Sequence, residues 1–387
     1  MSEATIIKPD LNFVNEIIKG GGESLKKCYQ CATCSVVCNV TPDGNPFPRK
    51  EMVLAQWGQK DKLIGNPDIW LCHQCSDCTA YCPRGAKPGE VLGAIRKMTI
   101  KKFSAPSFLG SMVGDPKFFA VLMAVPVIIY LVFLALQGFI GGDIPRVDGK
   151  IVYGKFLFSL FYVDPLFTAA AAFAALSLAM GVLKYWKAMN EANPGERKGS
   201  IVGAVSAVVS DILSHSKFRK CEVTKGRSIA HMLVFYSFIG LFITTILAFI
   251  KVIPEYFEHF GSHGFTLSEA SADSLTVVYK IIGNISAVAL IVGIFLVVLN
   301  RFSNQKKAGI GSYYDWLFIA IVAGVGVTGM LAQVLRIANM DIAYPTYVIH
   351  LCFVFFLFAY APFSKMAHMV YRTTAMVFAK YTGRDVK

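Results

Sequence analysis

The chain has 387 residues, 55% of them hydrophobic and only 16% charged. That balance excludes an ordinary soluble globular protein and predicts a membrane protein with a soluble part. The net charge of +13 does not point to nucleic acid: the basic residues lie mostly between apolar spans, where the cytoplasmic bias of lysine and arginine accounts for them, and no basic face interleaved with base-stacking aromatics is present.

Residues 1–22 carry no signal-peptide or twin-arginine pattern, so the soluble part is expected to stay in the cytoplasm. Asp10 to Lys19 has helical spacing, and Gly20 to Gly22 is expected to end that helix. No lysine and serine or threonine follow to complete a phosphate loop.

Two cysteine runs come next: Cys28, Cys31, Cys34, Cys38, then Cys72, Cys75, Cys78, Cys82. Each reads C-x2-C-x2-C-x3-C, and Pro83 follows the second. In such a run three thiolates wrap one cluster and the fourth reaches toward another. Cys28, Cys31, Cys34 and Cys82 are thereby assigned to one [4Fe-4S] cluster, and Cys72, Cys75, Cys78 and Cys38 to a second. Asn39 stands where proline is usual in the first run, with Pro42 three residues later, a local turn difference that leaves the ligand spacing intact. A zinc ion has no use for the third closely spaced cysteine, and disulfides need an oxidising compartment. His73, between two of the cysteines, is expected to tune the cluster rather than bind metal.

Between the runs, Pro48 to Gln59 reads as a helix and Asp61 to Asp68 as a turn. Pro88 to Phe103 reads as a helix whose end, with Lys97, Lys101 and Lys102, suits anionic headgroups.

Six apolar stretches follow, at about 118–138, 165–186, 230–250, 276–299, 313–335 and 346–366, each near the roughly 20 residues a membrane helix needs. Loop charges orient them. Lys187, Arg197, Lys198, Lys217, Arg219, Lys220, Lys225, Arg227, Arg301, Lys306, Lys307, Arg372, Lys380, Arg384 and Lys387 fall on the side of the cysteines, whereas the 251–275 loop is acidic. Ile201, Val205, Val208, Val209 and Ile212 form the stripe of an amphipathic surface helix. Gly324, Gly326 and Gly329 spell a dinucleotide fingerprint without its preceding strand, so close helix packing is the better reading.

Histidines at membrane depth are functional by default. His231 opens the third span on the inner side, and His350 and His368 share the last span, eighteen residues apart and so on one face. His231 and His368 are therefore predicted to hold an inner haem b. A second, outer haem would rest on His350. Leu241, not histidine, stands ten residues beyond His231, which leaves His259 or His263 of the 251–275 loop as the partner. His215, beside Cys221 on the inner side, is placed near the inner haem or a partner subunit. Lys280, just inside the outer end of the fourth span, either snorkels or has a role, hydrogen-bonding a quinone carbonyl or pairing a haem propionate.

The cysteine runs resemble the small iron-sulfur C subunits of heterodisulfide reductases. From about residue 165 the chain is similar to the membrane cytochrome b of the heterodisulfide reductase and nitrate reductase gamma type, on Arg227 to Ile239 with His231 and on Ile349 to Tyr371 with His350 and His368. The fused order resembles the C subunits of the quinone-interacting membrane-bound oxidoreductase complexes of sulfate reducers. The resemblance implies soluble flavin and iron-sulfur A and B partner subunits, and electron exchange between menaquinone and adenylylsulfate reductase. Leu241 replaces that family's fourth haem histidine, Lys280 falls where the nitrate reductase type has a quinone-site lysine, and the cysteine-rich motif of the disulfide-reducing subunits is absent. The expected architecture is all-α: an α-helical two-cluster ferredoxin-like domain at 1–110 in the cytoplasm, then a six-helix cytochrome b bundle at 111–387 in the inner membrane, with a cytoplasmic C-terminus.

Overall fold

The computed structural model describes residues 7–140, 145–157, 159–193, 197–216, 220, 226–259, 268–305 and 311–384. Among these residues the architecture is helical, apart from a two-residue hairpin pairing Arg146–Val147 with Lys150–Ile151.

In the amino-terminal head, Asp10 caps α1 (Leu11–Ile17) by accepting the Phe13 N–H at 2.9 Å, which satisfies one of the donors left open at a helix start. The glycine run does not simply stop the chain. It widens into one broad turn, Ile18–Gly22, with Gly21 at φ 111°, a conformation glycine alone adopts without strain. The short helices α2 (Thr33–Val36), α3 (Arg49–Gln56), α4 (Lys60–Ile64), α5 (Asp68–Leu71) and α6 (Asp77–Ala80) follow. The segment expected as a turn is thus partly helical, because Leu63 and Ile64 are drawn into the core. The helix expected over Pro88–Phe103 is α7, with those bounds. Pro88 sits in its first turn, where a missing N–H costs nothing, and Val91, Leu92, Ile95 and Ile100 are buried.

Beyond α8 (Ser107–Val113) come α9 (Phe119–Leu136), α10 (Tyr153–Phe156), α11 (Asp164–Ala192), α12 (Ile201–Ser214), α13 (Gly226–His259), α14 (Glu269–Ser303), α15 (Tyr313–Ile337), α16 (Ala343–Ala359) and α17 (His368–Tyr381). Among the described residues, five segments are long and apolar enough to cross a membrane: Pro116–Leu136, Phe161–Ala192, Gly226–Pro254, Ala270–Ser303 and Tyr313–Ile337. The stretch expected to supply a sixth yields α16, apolar but only 17 residues long, or roughly 25 Å.

The last span departs from expectation. It ends at Ala359, passes through two single turns, Ala361–Phe363 and Lys365–Ala367, and a new helix starts at His368. Pro362 has no N–H to continue the ladder, and its ring clashes with the preceding turn. His350 and His368 therefore lie on separate helices, and their eighteen-residue spacing no longer puts them on one face.

The three glycines of α15 do mark close packing. An added Cβ would meet Phe353 at Gly324, Ile291 and Leu290 at Gly326, and His350 at Gly329. The amphipathic α12 buries Ala204 and Val208 and packs on α17, leaving Ile201, Val205 and Val209 exposed.

Head and helices share one core. Phe13, Leu25, Trp70 and Ile95 belong to the same buried cluster as Tyr185, Phe363, Tyr371 and Phe378. Arg384, beyond α17, donates to Asp68 of α5 through Nε at 3.0 Å and Nη2 at 2.5 Å. Burial pushes the Asp68 carboxyl up, but the Arg384 hydrogen bond and charge, aided by Lys50, hold it below its ordinary value. Next to it, burial and the charge of Asp68 push Glu51 up to about 7.

Candidate functional site

The head is built on a repeated loop. Gln30 and Ala32 adopt φ of 60° and 71°, and Gln74 and Ser76, at the matching positions of the second run, adopt 51° and 69°. These left-handed residues turn the chain tightly enough for the flanking cysteines to face inward. In both loops the N–H two residues after the first cysteine points at its sulfur: Gln30 to Cys28 at 3.4 Å and Gln74 to Cys72 at 3.3 Å.

The structure brings Cys28, Cys31, Cys34 and Cys82 around one cavity. Cys38, Cys72, Cys75 and Cys78 line another. Each cavity draws its fourth cysteine from the other run. Burial pushes the Cys34 thiol up to about 11 and Cys38 to about 12, with neighbouring cysteines adding to both. Such crowded thiols resist ionising unless iron replaces their protons, so the donor set fits thiolate-held clusters. Cys31 is exposed, and the hydroxyl of Thr33 lowers its pKa.

Three arginines tie the second loop to the rest of the chain. Arg96 of α7 donates to the carbonyls of Ile69 and Cys72. Arg372 of α17 donates to Trp70 O at 3.1 Å, Cys72 O at 2.8 Å and His73 Nε2 at 2.7 Å. Arg227 of α13 donates to Gln74 O at 2.5 Å. Trp70 stacks on Tyr371 with ring centroids 5.5 Å apart. His73 thus lines the second cavity and accepts from Arg372.

These contacts set the cluster loop beside the inner histidines. Arg227 precedes His231 by one helical turn, and Arg372 follows His368 by one turn. Burial pushes the His368 imidazole down to about 3, with the charges of Lys365 and His231 adding to the effect, so the ring stays neutral. His368 Nδ1 is 2.6 Å from the Lys365 carbonyl, and His231 Nδ1 is 3.2 Å from His215 Nε2. An imidazole with Nδ1 engaged offers Nε2 as a ligand, so each of these two rings is set to ligate through Nε2.

His350 of α16 lies against Gly329, its Nδ1 3.1 Å from Thr328 Oγ1. Helix register gives its depth. Gly240 of α13 packs on Ser286 of α14, and Gly326 of α15 packs on Leu290 and Ile291, which puts Gly329 and His350 close to the level of Gly240 and Leu241. His259 ends α13, nineteen residues beyond Gly240, a rise of roughly 28 Å. The register therefore does not bring His259 to the level of His350, and His263 lies outside the described residues. Leu241 packs toward α14 and α15. Lys280 is exposed on α14.

The three arginines were missed by sequence reasoning, which counted Arg227 and Arg372 only as topology charges and passed over Arg96. Their one signal was the four-residue offset of Arg227 and Arg372 from the two inner histidines.

Comparison with known proteins divides the chain in the same way. Residues 24–86 match the 4Fe-4S dicluster domain model. Over 102 residues the chain is 36% identical to the C subunit of the H(2):CoB-CoM heterodisulfide,ferredoxin reductase of Methanothermobacter marburgensis, covering 25% of this chain and 54% of the relative. Over 96 residues it is 35% identical to a protein of Archaeoglobus profundus described as like the C subunit of heterodisulfide reductase, covering 24% and 51%. The chain spans about half the length of the curated relatives it matches. No solved structure matches it. The amino-terminal part is thus a two-cluster iron-sulfur domain like that of the heterodisulfide reductase C subunits, an electron-transfer component. Residues 162–385, more than half of the chain, match the citrate utilization protein B model, and the chain belongs to that family.

Proposed function

We propose that this chain is the membrane subunit of a quinone-interacting oxidoreductase, exchanging electrons between menaquinol or menaquinone and soluble flavin and iron-sulfur partner subunits, toward adenylylsulfate reductase. In this reading residues 1–110 form a cytoplasmic cluster domain and 111–387 an inner-membrane cytochrome b domain. Cys28, Cys31, Cys34 and Cys82 hold one cluster, and Cys72, Cys75, Cys78 and Cys38 the other. His231 and His368 hold an inner haem b, and His350 serves an outer one. The bound groups supply one-electron chemistry at potentials the protein sets. The residues of the chain hold and position those groups.

The observation that carries this reading is the run of arginine hydrogen bonds joining the Cys72 loop to the helices of His231 and His368. It fixes the cluster domain against the histidine pair, as short-range electron exchange requires. Anaerobic addition of menaquinol to the purified chain tests it: haem bands that reduce, followed by bleaching of the cluster absorbance, are expected, and haem that stays oxidised would leave the chain a mere anchor.

A second reading, an electron donor to a heterodisulfide-type partner, is favoured by the heterodisulfide reductase relatives of the cluster domain. The subunits that purify with the chain separate the two.

A further inference from the structure

His215 lies outside the apolar spans, at the C-terminal cap of α12. It is 6% exposed and adopts φ 50°, ψ 26°, a left-handed conformation that non-glycine residues adopt rarely and only where surrounding contacts hold them. Its ring packs edge-on against His231, centroids 5.3 Å apart at 62°, and against Phe235, 5.1 Å apart at 72°. Its Nε2 is 3.2 Å from His231 Nδ1, and its Nδ1 is 3.4 Å from the Leu213 carbonyl. The same carbonyl accepts the hydroxyl of Tyr236 at 2.5 Å.

The proton positions along this chain follow from ligand chemistry. A neutral imidazole that ligates iron through Nε2 carries its proton on Nδ1. His231 is then the donor to His215, whose Nε2 must accept. His215 in turn carries its own proton on Nδ1, which faces the Leu213 carbonyl. A backbone carbonyl at the end of a surface helix thus supports two tautomers in sequence.

We propose that His215 is the positioning residue of the inner haem site: it accepts the Nδ1 proton of His231, locks that ring, and makes it the more electron-rich of the two histidines that would hold the haem. The contrast lies in the acceptors. His368 gives its Nδ1 proton to an amide carbonyl, that of Lys365, whereas His231 gives its own to an imidazole nitrogen, a stronger base. A stronger acceptor behind a ligand raises the ligand's basicity and favours the oxidised iron. The inference rests on the haem assignment of the proposed function.

The test uses the full-length chain and two substitutions, His215→Leu, which fills the space without an acceptor, and His215→Gln, whose side-chain oxygen reaches the position of Nε2. Redox titration and low-temperature electron paramagnetic resonance are read against haem content. Wild-type haem content with an upward shift of the inner haem potential and altered low-spin g values in His215→Leu, and near wild-type values in His215→Gln, are expected. An unmoved potential and spectrum in His215→Leu would overturn the proposal, as would loss of haem from both variants with their iron-sulfur content intact, because the role would then be that of a ligand or a prop. A wild-type chain without protohaem would sink the haem assignment first and this relay with it, so the two failures are distinguishable.

Discussion

Arg372 donates a 2.8 Å hydrogen bond to the carbonyl of Cys72, although 300 residues separate them. Cys72 is a proposed cluster ligand, and Arg372 sits one turn beyond His368. The relation ties the two proposed cofactor sites together, because the same guanidinium also holds Trp70 and His73. Loss of the donor leaves the carbonyls of the buried Trp70 and Cys72 short of a partner. Arg372→Ala is therefore expected to destabilise the head by about 2–4 kcal/mol and to alter the resonance of the Cys72 cluster while sparing the Cys28 cluster. Arg372→Lys keeps the charge but not the fork and is expected to restore only part. Thermal unfolding and electron paramagnetic resonance of the reduced protein check both.

The crossed fourth cysteines make a sharper test of the cluster assignment. Cys82→Ser is expected to damage the cluster of Cys28, Cys31 and Cys34, and Cys38→Ser the other, each with loss of roughly half the non-haem iron. If each run held its own cluster, Cys82→Ser would instead remove the signal that Arg372→Ala perturbs.

Gly329 gives a test of the outer histidine. A Cβ there would come within 2.8 Å of the His350 ring, whereas at Gly326 the nearest atom is the Ile291 side chain at 3.3 Å. Gly329→Ala is expected to displace His350 at a cost of about 1–3 kcal/mol and to change one of two haem components in a redox titration. Gly326→Ala should leave both components in place.

The pH dependence of the head follows from Glu51. Its folded carboxyl titrates at about 7, above the ordinary 4.5. The folded state therefore keeps a proton that the unfolded chain releases as pH rises from 4.5 to 7, and stability falls through that window. Asp68, held below its ordinary value, acts in the opposite sense and loses its contribution only as pH falls below the usual carboxylate range. Glu51→Gln cannot ionise. It is expected to gain about 1–3 kcal/mol over the wild type at pH 8 and nothing near pH 4.5, as read by melting curves at the two pH values.

The local code was legible and the tertiary code was not. The cysteine spacing and the run from Pro88 to Phe103 encode their structure within a few residues, so the cluster loops and α7 could be read directly. The break at Pro362 was written in the sequence too, but the apolar run around it read as one span and hid it. Arg96, Arg227 and Arg372 could not be read as site residues, because their acceptors are backbone carbonyls that only the fold brings near. Leu241 was recognised as a missing ligand, and the register of α13 against α14 and α15 now puts it close to the level of His350.

The central claim is that one chain holds thiolate-bound iron in its head and protohaem between His231 and His368. Metal and pigment analysis of the purified chain beside its His368→Ala variant tests it most directly. The account predicts about eight non-haem irons per chain in both, with protohaem present in the wild type and depleted in the variant. A colourless protein, zinc in place of iron, or protohaem undiminished by the substitution would contradict it.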